Sequence, residues 1–176
     1  MARRSLLSRH ELEEHRFHPV VLGVVSLGAL FLHAYLPRVW APLGILDLPL
    51  IVVLYFSISW RSPVAGTVYG AAMGLLEDLP GNQYIGVNGI AKSVLGYAAA
   101  SIGLRIDVEN GMIRLGASFV FFLMQSCLLF LIQHFLLGTG DENLLWLHEL
   151  IRAAVNALVS MPVFYLLDRT RVDEVL

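Results

Sequence analysis

Two adjacent carboxylates, Glu77 and Asp78, close an apolar run in which Gly66, Gly70 and Gly74 recur at every fourth residue. Neighbouring acids are the raw material of a paired-acid hydrolase, and His134 and His148, which flank one loop, are the raw material of a metal site. Little else in the chain supports either chemistry. No convincing third metal ligand accompanies the two histidines. His148-Glu149 is followed at the zinc-protease spacing by Arg152 rather than by a second histidine. There is no G-x-x-x-x-G-K-[ST] phosphate loop and no G-x-S-x-G nucleophile elbow. A serine–histidine or paired-acid hydrolase within the membrane stays open, but no serine has a recognisable setting. The expectation is a protein that is not an enzyme and carries no metal or cofactor.

The remaining polar residues stand out because their surroundings are so apolar. Of 176 residues 57% are hydrophobic and the mean hydropathy is +0.69. Only 15% are charged, against about 25% in soluble domains. A net charge of −2 offers no basic face to nucleic acid. The single cysteine, Cys127, precludes an internal disulfide; in its apolar run it reads as a small buried hydrophobe. No small-x-small cleavage site follows the first apolar run, so that run is expected to remain as a helix.

A helix needs about 20 apolar residues to cross the hydrocarbon. Six candidates satisfy or approach this, at about 20–36, 43–60, 62–78, 86–104, 113–137 and 144–167, after a charged tail over 1–19. The first is expected to stop at Pro37. The second and third are short and separated only by Arg61-Ser62, so a re-entrant pair is an alternative to two full spans. Leu79-Pro80-Gly81-Asn82 reads as a tight turn with proline and glycine at its centre. With short loops throughout, the chain is expected to be a single transmembrane domain over 1–176.

Orientation follows from the lysines and arginines. Of the 12, nine (Arg3, Arg4, Arg9, Arg16, Arg61, Arg105, Arg114, Arg169 and Arg171) fall on one side of a six-span chain, and Arg38 alone falls on the other. Lys92 and Arg152 lie within spans. Both termini are therefore expected in the cytoplasm.

That topology assigns depths. His33, Asp47, Glu77, Asp78, Asn88, Lys92, His134, His148, Glu149 and Arg152 all fall in the outer half, and milder groups such as Ser57, Gln125, Asn156 and Ser160 fall in the inner half. Asn88, Lys92, Gly96, Ala99 and Gly103 share one face of span four, and Glu149, Arg152, Asn156 and Ser160 share one stripe of span six. A lipid-facing Lys or Arg costs upward of about 2.5 kcal/mol. Both stripes are therefore expected to face inward, with Lys92 and Arg152 neutralised by Asp47, Glu77, Asp78 or Glu149. The competing reading is that Lys92 and Arg152 snorkel to the headgroups and that Asp78 and Glu149 are interfacial. The glycine stripe is expected to let another helix approach closely, within the chain or in a partner.

Residues 74–81 (Gly74-Leu75-Leu76-Glu77-Asp78-Leu79-Pro80-Gly81), continuing through Gly86-Val87-Asn88-Gly89 to Gly96-Tyr97, resemble the central signature of the MreD family. Asp78, Gly81, Gly86, Gly96 and Tyr97 carry the match. The resemblance implies a multi-pass protein of the bacterial inner membrane that takes part in rod-shape determination. It implies a partner like the single-pass protein MreC, links to the actin-like MreB, and association with a polytopic glycosyltransferase and a transpeptidase of peptidoglycan synthesis. The architecture it implies is similar to the six-span substrate-binding component of vitamin transporters. That similarity leaves a second functional reading, a small-ligand-binding transporter component, for which the outer polar cluster would be the pocket.

Overall fold

The computed structural model describes residues 18–80, 84–104, 111–136, 138 and 146–170. These form an all-α bundle of six helices: α1 (Pro19–Val39), α2 (Leu48–Trp60), α3 (Pro63–Asp78), α4 (Val87–Gly103), α5 (Gly111–Phe135) and α6 (Trp146–Asp168), with a 3-10 turn at Ala41–Ile45. Among the described residues, four stretches are long and apolar enough to cross a membrane: Pro19–Val39, Ala41–Trp60, Gly111–Phe135 and Trp146–Asp168. The chain is thus a multi-pass membrane protein. At 1.5 Å per residue, α3 and α4 reach only about 24–26 Å, short of a hydrocarbon layer of about 30 Å.

Helix α2 is apolar all round, and a helix of that kind belongs in a core. Leu50, Ile51, Val53, Leu54 and Phe56 are fully enclosed by α1, α3, α4 and α6. By contrast α1 is peripheral: Ala29 is its one buried residue, and Val20, Val24, Leu27, Phe31 and Tyr35 form an exposed apolar stripe.

Helices α3 and α4 pack along their whole length in antiparallel register, Gly66 on Gly96, Gly70 on Lys92 and Gly74 on Asn88. A β-carbon at Gly66 would lie 2.5 Å from the Gly96 carbonyl oxygen. The glycine stripe is therefore occupied by the chain's own α4 backbone. In lipid this matters more than in water, because apolar burial gives little net drive and close packing and polar contacts take over.

Contacts at the two ends fix the helix directions. Arg114, near the start of α5, pairs with Asp168 at the end of α6 at 2.5 Å, and the Tyr55 hydroxyl from α2 donates to Asp168 at 3.1 Å. The opposite end joins α1, the start of α2, the end of α3 and the starts of α4 and α6 through the polar residues described below. Successive helices therefore alternate in direction. Arg61 and Arg114 share one end, and Arg38 lies toward the other.

Several boundaries differ from the sequence reading. Pro37 lies inside α1, which continues to Val39; a proline in the last turn removes one N–H, and the Trp40 N–H still reaches the Leu36 carbonyl. The expected span 43–60 is broken at Leu46-Asp47. Asp47 caps α2 by accepting the Leu50 N–H at 2.9 Å, and Pro49 in the first turn has no N–H to leave unsatisfied. Arg61, in the left-handed region at φ 51°, reverses the chain, and Ser62 caps α3. Cys127 is exposed on the outer face of α5, not buried. Its apolar neighbours reflect the surround of a membrane helix rather than a core position. Gly81 and its turn partner Asn82 lie outside the described residues, as do the tail arginines, Arg105 and Arg171.

Candidate functional site: a buried polar network

Lys92 is the centre of the polar network. It is the sixth residue of α4, on the face that α3 and α2 cover, and its side chain is wholly enclosed. Its ammonium donates to Asp47 Oδ1 at 3.0 Å and to Glu77 Oε2. Snorkelling is thereby replaced by internal pairing: an ammonium enclosed at this depth is tolerable only with close carboxylates.

Asp47 is the most connected acid. Its Oδ1 also caps α2, its Oδ2 accepts from the Gln125 amide, and the Arg152 guanidinium stands 3.9 Å from Oδ2. Its own N–H donates to Asn156 Oδ1 at 2.8 Å, while the Asn156 amide donates to the Ile45 and Arg152 carbonyls. Asn156 thus fastens the loop before α2 to α6. Gln125 and Asn156 are each ten residues from the outer ends of α5 and α6, roughly 15 Å along the axis. The network therefore reaches to mid-depth, and Gln125 and Asn156 belong to it rather than to a separate inner half.

At the rim, Arg152 approaches Glu149 at 3.9 Å, Glu149 Oε2 accepts from the Ser126 hydroxyl at 2.5 Å, and His148 faces Glu149 at 3.5 Å. On the other flank the His33 ring meets the Leu46 carbonyl through Nδ1 at 2.9 Å and Glu77 Oε1 through Nε2 at 3.7 Å.

Asp78 does something different from neutralising Lys92. It is buried, and it accepts the Gly86 N–H at 2.7 Å and the Asn88 amide at 2.8 Å. Those bonds pin the α3–α4 connection. Gly86, at φ +103°, occupies a backbone region that side chains avoid. Of the residues singled out from sequence, Lys92, Glu149 and Arg152 meet around Asp47. Gly66, Gly70, Gly74 and Gly96 form the α3–α4 seam, and Asp78, Gly86 and Asn88 form the connection. Tyr97 stands apart, exposed on the outer face of α4. Sequence reasoning gave no role to Gln125 or Ser126, which are ordinary polar residues in a long apolar helix; no spacing marks them. Asn156 was marked by its stripe with Arg152 and Ser160.

Among the described residues, the buried Ser57 Oγ and Gln125 Oε1 have no hydrogen-bond partner. Among the described residues, no three His, Cys, Asp or Glu side chains are grouped to hold a metal. His134 instead stacks on Phe130, with ring centroids 5.7 Å apart.

The family model described as rod shape-determining protein MreD matches residues 16–170. Comparison with curated proteins and with solved structures finds no match.

Proposed function

Because the chain belongs to the MreD family of rod shape-determining proteins, we propose that it is a non-enzymatic adaptor of the cell-elongation machinery in the bacterial inner membrane. Family membership carries a role in rod-shape determination. The finer reading is that the bundle binds an MreC-like single-pass protein and helps couple the MreB-type cytoskeleton to the glycosyltransferase and transpeptidase that build peptidoglycan. All six helices cross in this reading, with both termini cytoplasmic. The shared end of Arg61 and Arg114 supports that orientation, and local thinning of the bilayer accommodates the shorter α3 and α4.

The carrying observation is the family match across almost the whole chain. The network fits the adaptor role because its charged groups face one another. Asp47, Glu77 and Lys92 hold α2, α3 and α4 in one arrangement, leaving the apolar faces of α1, α5 and α6 outward for lipid or a partner helix. In the small-ligand reading, Asp78, Lys92 and Arg152 would be ligand contacts; here Asp78 and Lys92 are engaged by other residues of the chain. The test is depletion in the native bacterium with fluorescent labelling of new cell wall. The reading expects rods to round up and elongation sites to disperse, with rescue by the wild-type chain. Rods of unchanged width after depletion would refute it.

A further inference from the structure

Among the described residues, the ion-paired groups of the polar network are one positive charge short. Three carboxylates (Asp47, Glu77 and Glu149) meet two cations (Lys92 and Arg152). An unbalanced charge held away from water is costly, and buried sites commonly correct it by binding a proton. Asp78 makes no ion pair with these two cations; its carboxylate is solvated separately by the Gly86 N–H and the Asn88 amide, and its charge beside Glu77 adds to the demand for a proton. Gln125 and Ser126 from α5 are neutral donors. His148 faces Glu149 but its side chain is 60% exposed, so water screens it.

The geometry at His33 shows where the proton belongs. A backbone carbonyl has no hydrogen, so the 2.9 Å contact with Leu46 requires His33 Nδ1 to carry one. In a neutral ring with that tautomer, Nε2 is a bare lone pair, and it would confront Glu77 Oε1 at 3.7 Å. Lone pair against carboxylate is repulsive; one proton on either atom makes the contact attractive. We propose that the His33–Glu77 pair is a binding site for one exchangeable proton, and that this proton fastens α1 to α3. The His33 side chain is 26% exposed, so the pair is not sealed inside the bundle. Helix α1 has few other polar ties to the bundle core, chiefly the Ser26–Tyr69 hydroxyl pair at 2.6 Å. With the proton bound, the five ion-paired groups sum to zero and α1 is clasped. As pH rises and the proton leaves, Glu77 and the bare Nε2 oppose each other and α1 loosens.

The test uses the full chain in lipid nanodiscs, between about pH 5 and pH 9. Histidine 15N NMR reads His33, assigned by its loss in His33→Gln, and infrared spectroscopy reads a protonated Glu77 carboxyl. A spin-label pair at the exposed positions Leu27 and Val68 reads the α1–α3 separation. The wild type is expected to lose one proton from this pair as pH rises, seen as a shift of the Nε2 signal or loss of the Glu77 carbonyl band, and the label distance is expected to widen. In Glu77→Gln the amide can donate to Nε2 and the charges balance without a proton, so titration and widening should both vanish. A wild-type pair with no proton at any pH would overturn the proposal. So would proton loss at unchanged label distance, the same titration in Glu77→Gln, or a signal that follows sodium concentration at fixed pH. If Glu77→Gln does not fold, the wild-type titration and label distance decide alone.

Discussion

Gly70 sits directly against the carbonyl oxygen of Lys92, in the place where any other residue would carry its β-carbon. The glycine that admits α4 is therefore the one that holds the buried ammonium in reach of its acids. Overpacking a fitted contact costs about 1–3 kcal/mol when side chains can yield, and here backbone must yield. Gly70→Ala is expected to lose at least that much stability, and Gly70→Leu to prevent assembly of the bundle. Gly28→Ala in α1, where an added β-carbon meets nothing within 4 Å, is expected to be neutral or to gain up to about 1 kcal/mol from helix propensity. Reversible unfolding in mixed micelles compares them; equal behaviour of the two alanine variants would contradict the packing argument.

Removing Lys92 leaves Glu77 without its ammonium and Asp47 with only the Arg152 guanidinium, 3.9 Å away. Breaking a buried pair in this way costs about 3–5 kcal/mol. Lys92→Met is expected to fall in that range. Adding Glu77→Gln should recover part of the loss, because one uncompensated charge is removed. A double-mutant cycle on unfolding free energy checks this; strictly additive losses would mean that the two side chains do not interact.

Asp78 is predicted to act on the α3–α4 connection and not on the network. Each hydrogen bond to a charged group contributes about 1.5–3 kcal/mol. Asp78→Ala should expose the Gly86 amide to rapid hydrogen exchange while amides at the start of α2 stay protected. Loss of protection at Leu50 as well would merge the two sites into one.

The Arg114–Asp168 pair closes the opposite end at 2.5 Å, with side chains 15% and 28% exposed. Partly exposed pairs are screened more than wholly enclosed ones. Arg114→Gln is expected to cost less stability than Lys92→Met. A larger loss would move the chain's electrostatic anchor to this end.

Much of this arrangement is written plainly in the sequence. Six apolar runs give six helices, and the three- and four-residue steps from Asn88 to Gly103 and from Glu149 to Ser160 mark inward faces, because a polar stripe on a membrane helix has few other places to go. The break at Leu46-Asp47 is less visible, since Asp47 is the one polar side chain from Leu43 to Leu50 and the prolines at 42 and 49 suit a helix start as well as a helix stop. Hydropathy alone also hid the outward position of Cys127: in lipid, an apolar residue is equally at home on either face. Gln125 illustrates the same limit. Its partner, Asp47, is 78 residues away, and only the packing of α5 against α4 and α6 brings them together.

The adaptor reading is tested most directly by native mass spectrometry of the chain, solubilised gently from its own membranes. The expected spectrum shows a stoichiometric complex with a single-pass protein that carries a periplasmic domain. A chain that emerges with a bound small molecule or an ATPase, and without such a partner, would contradict it.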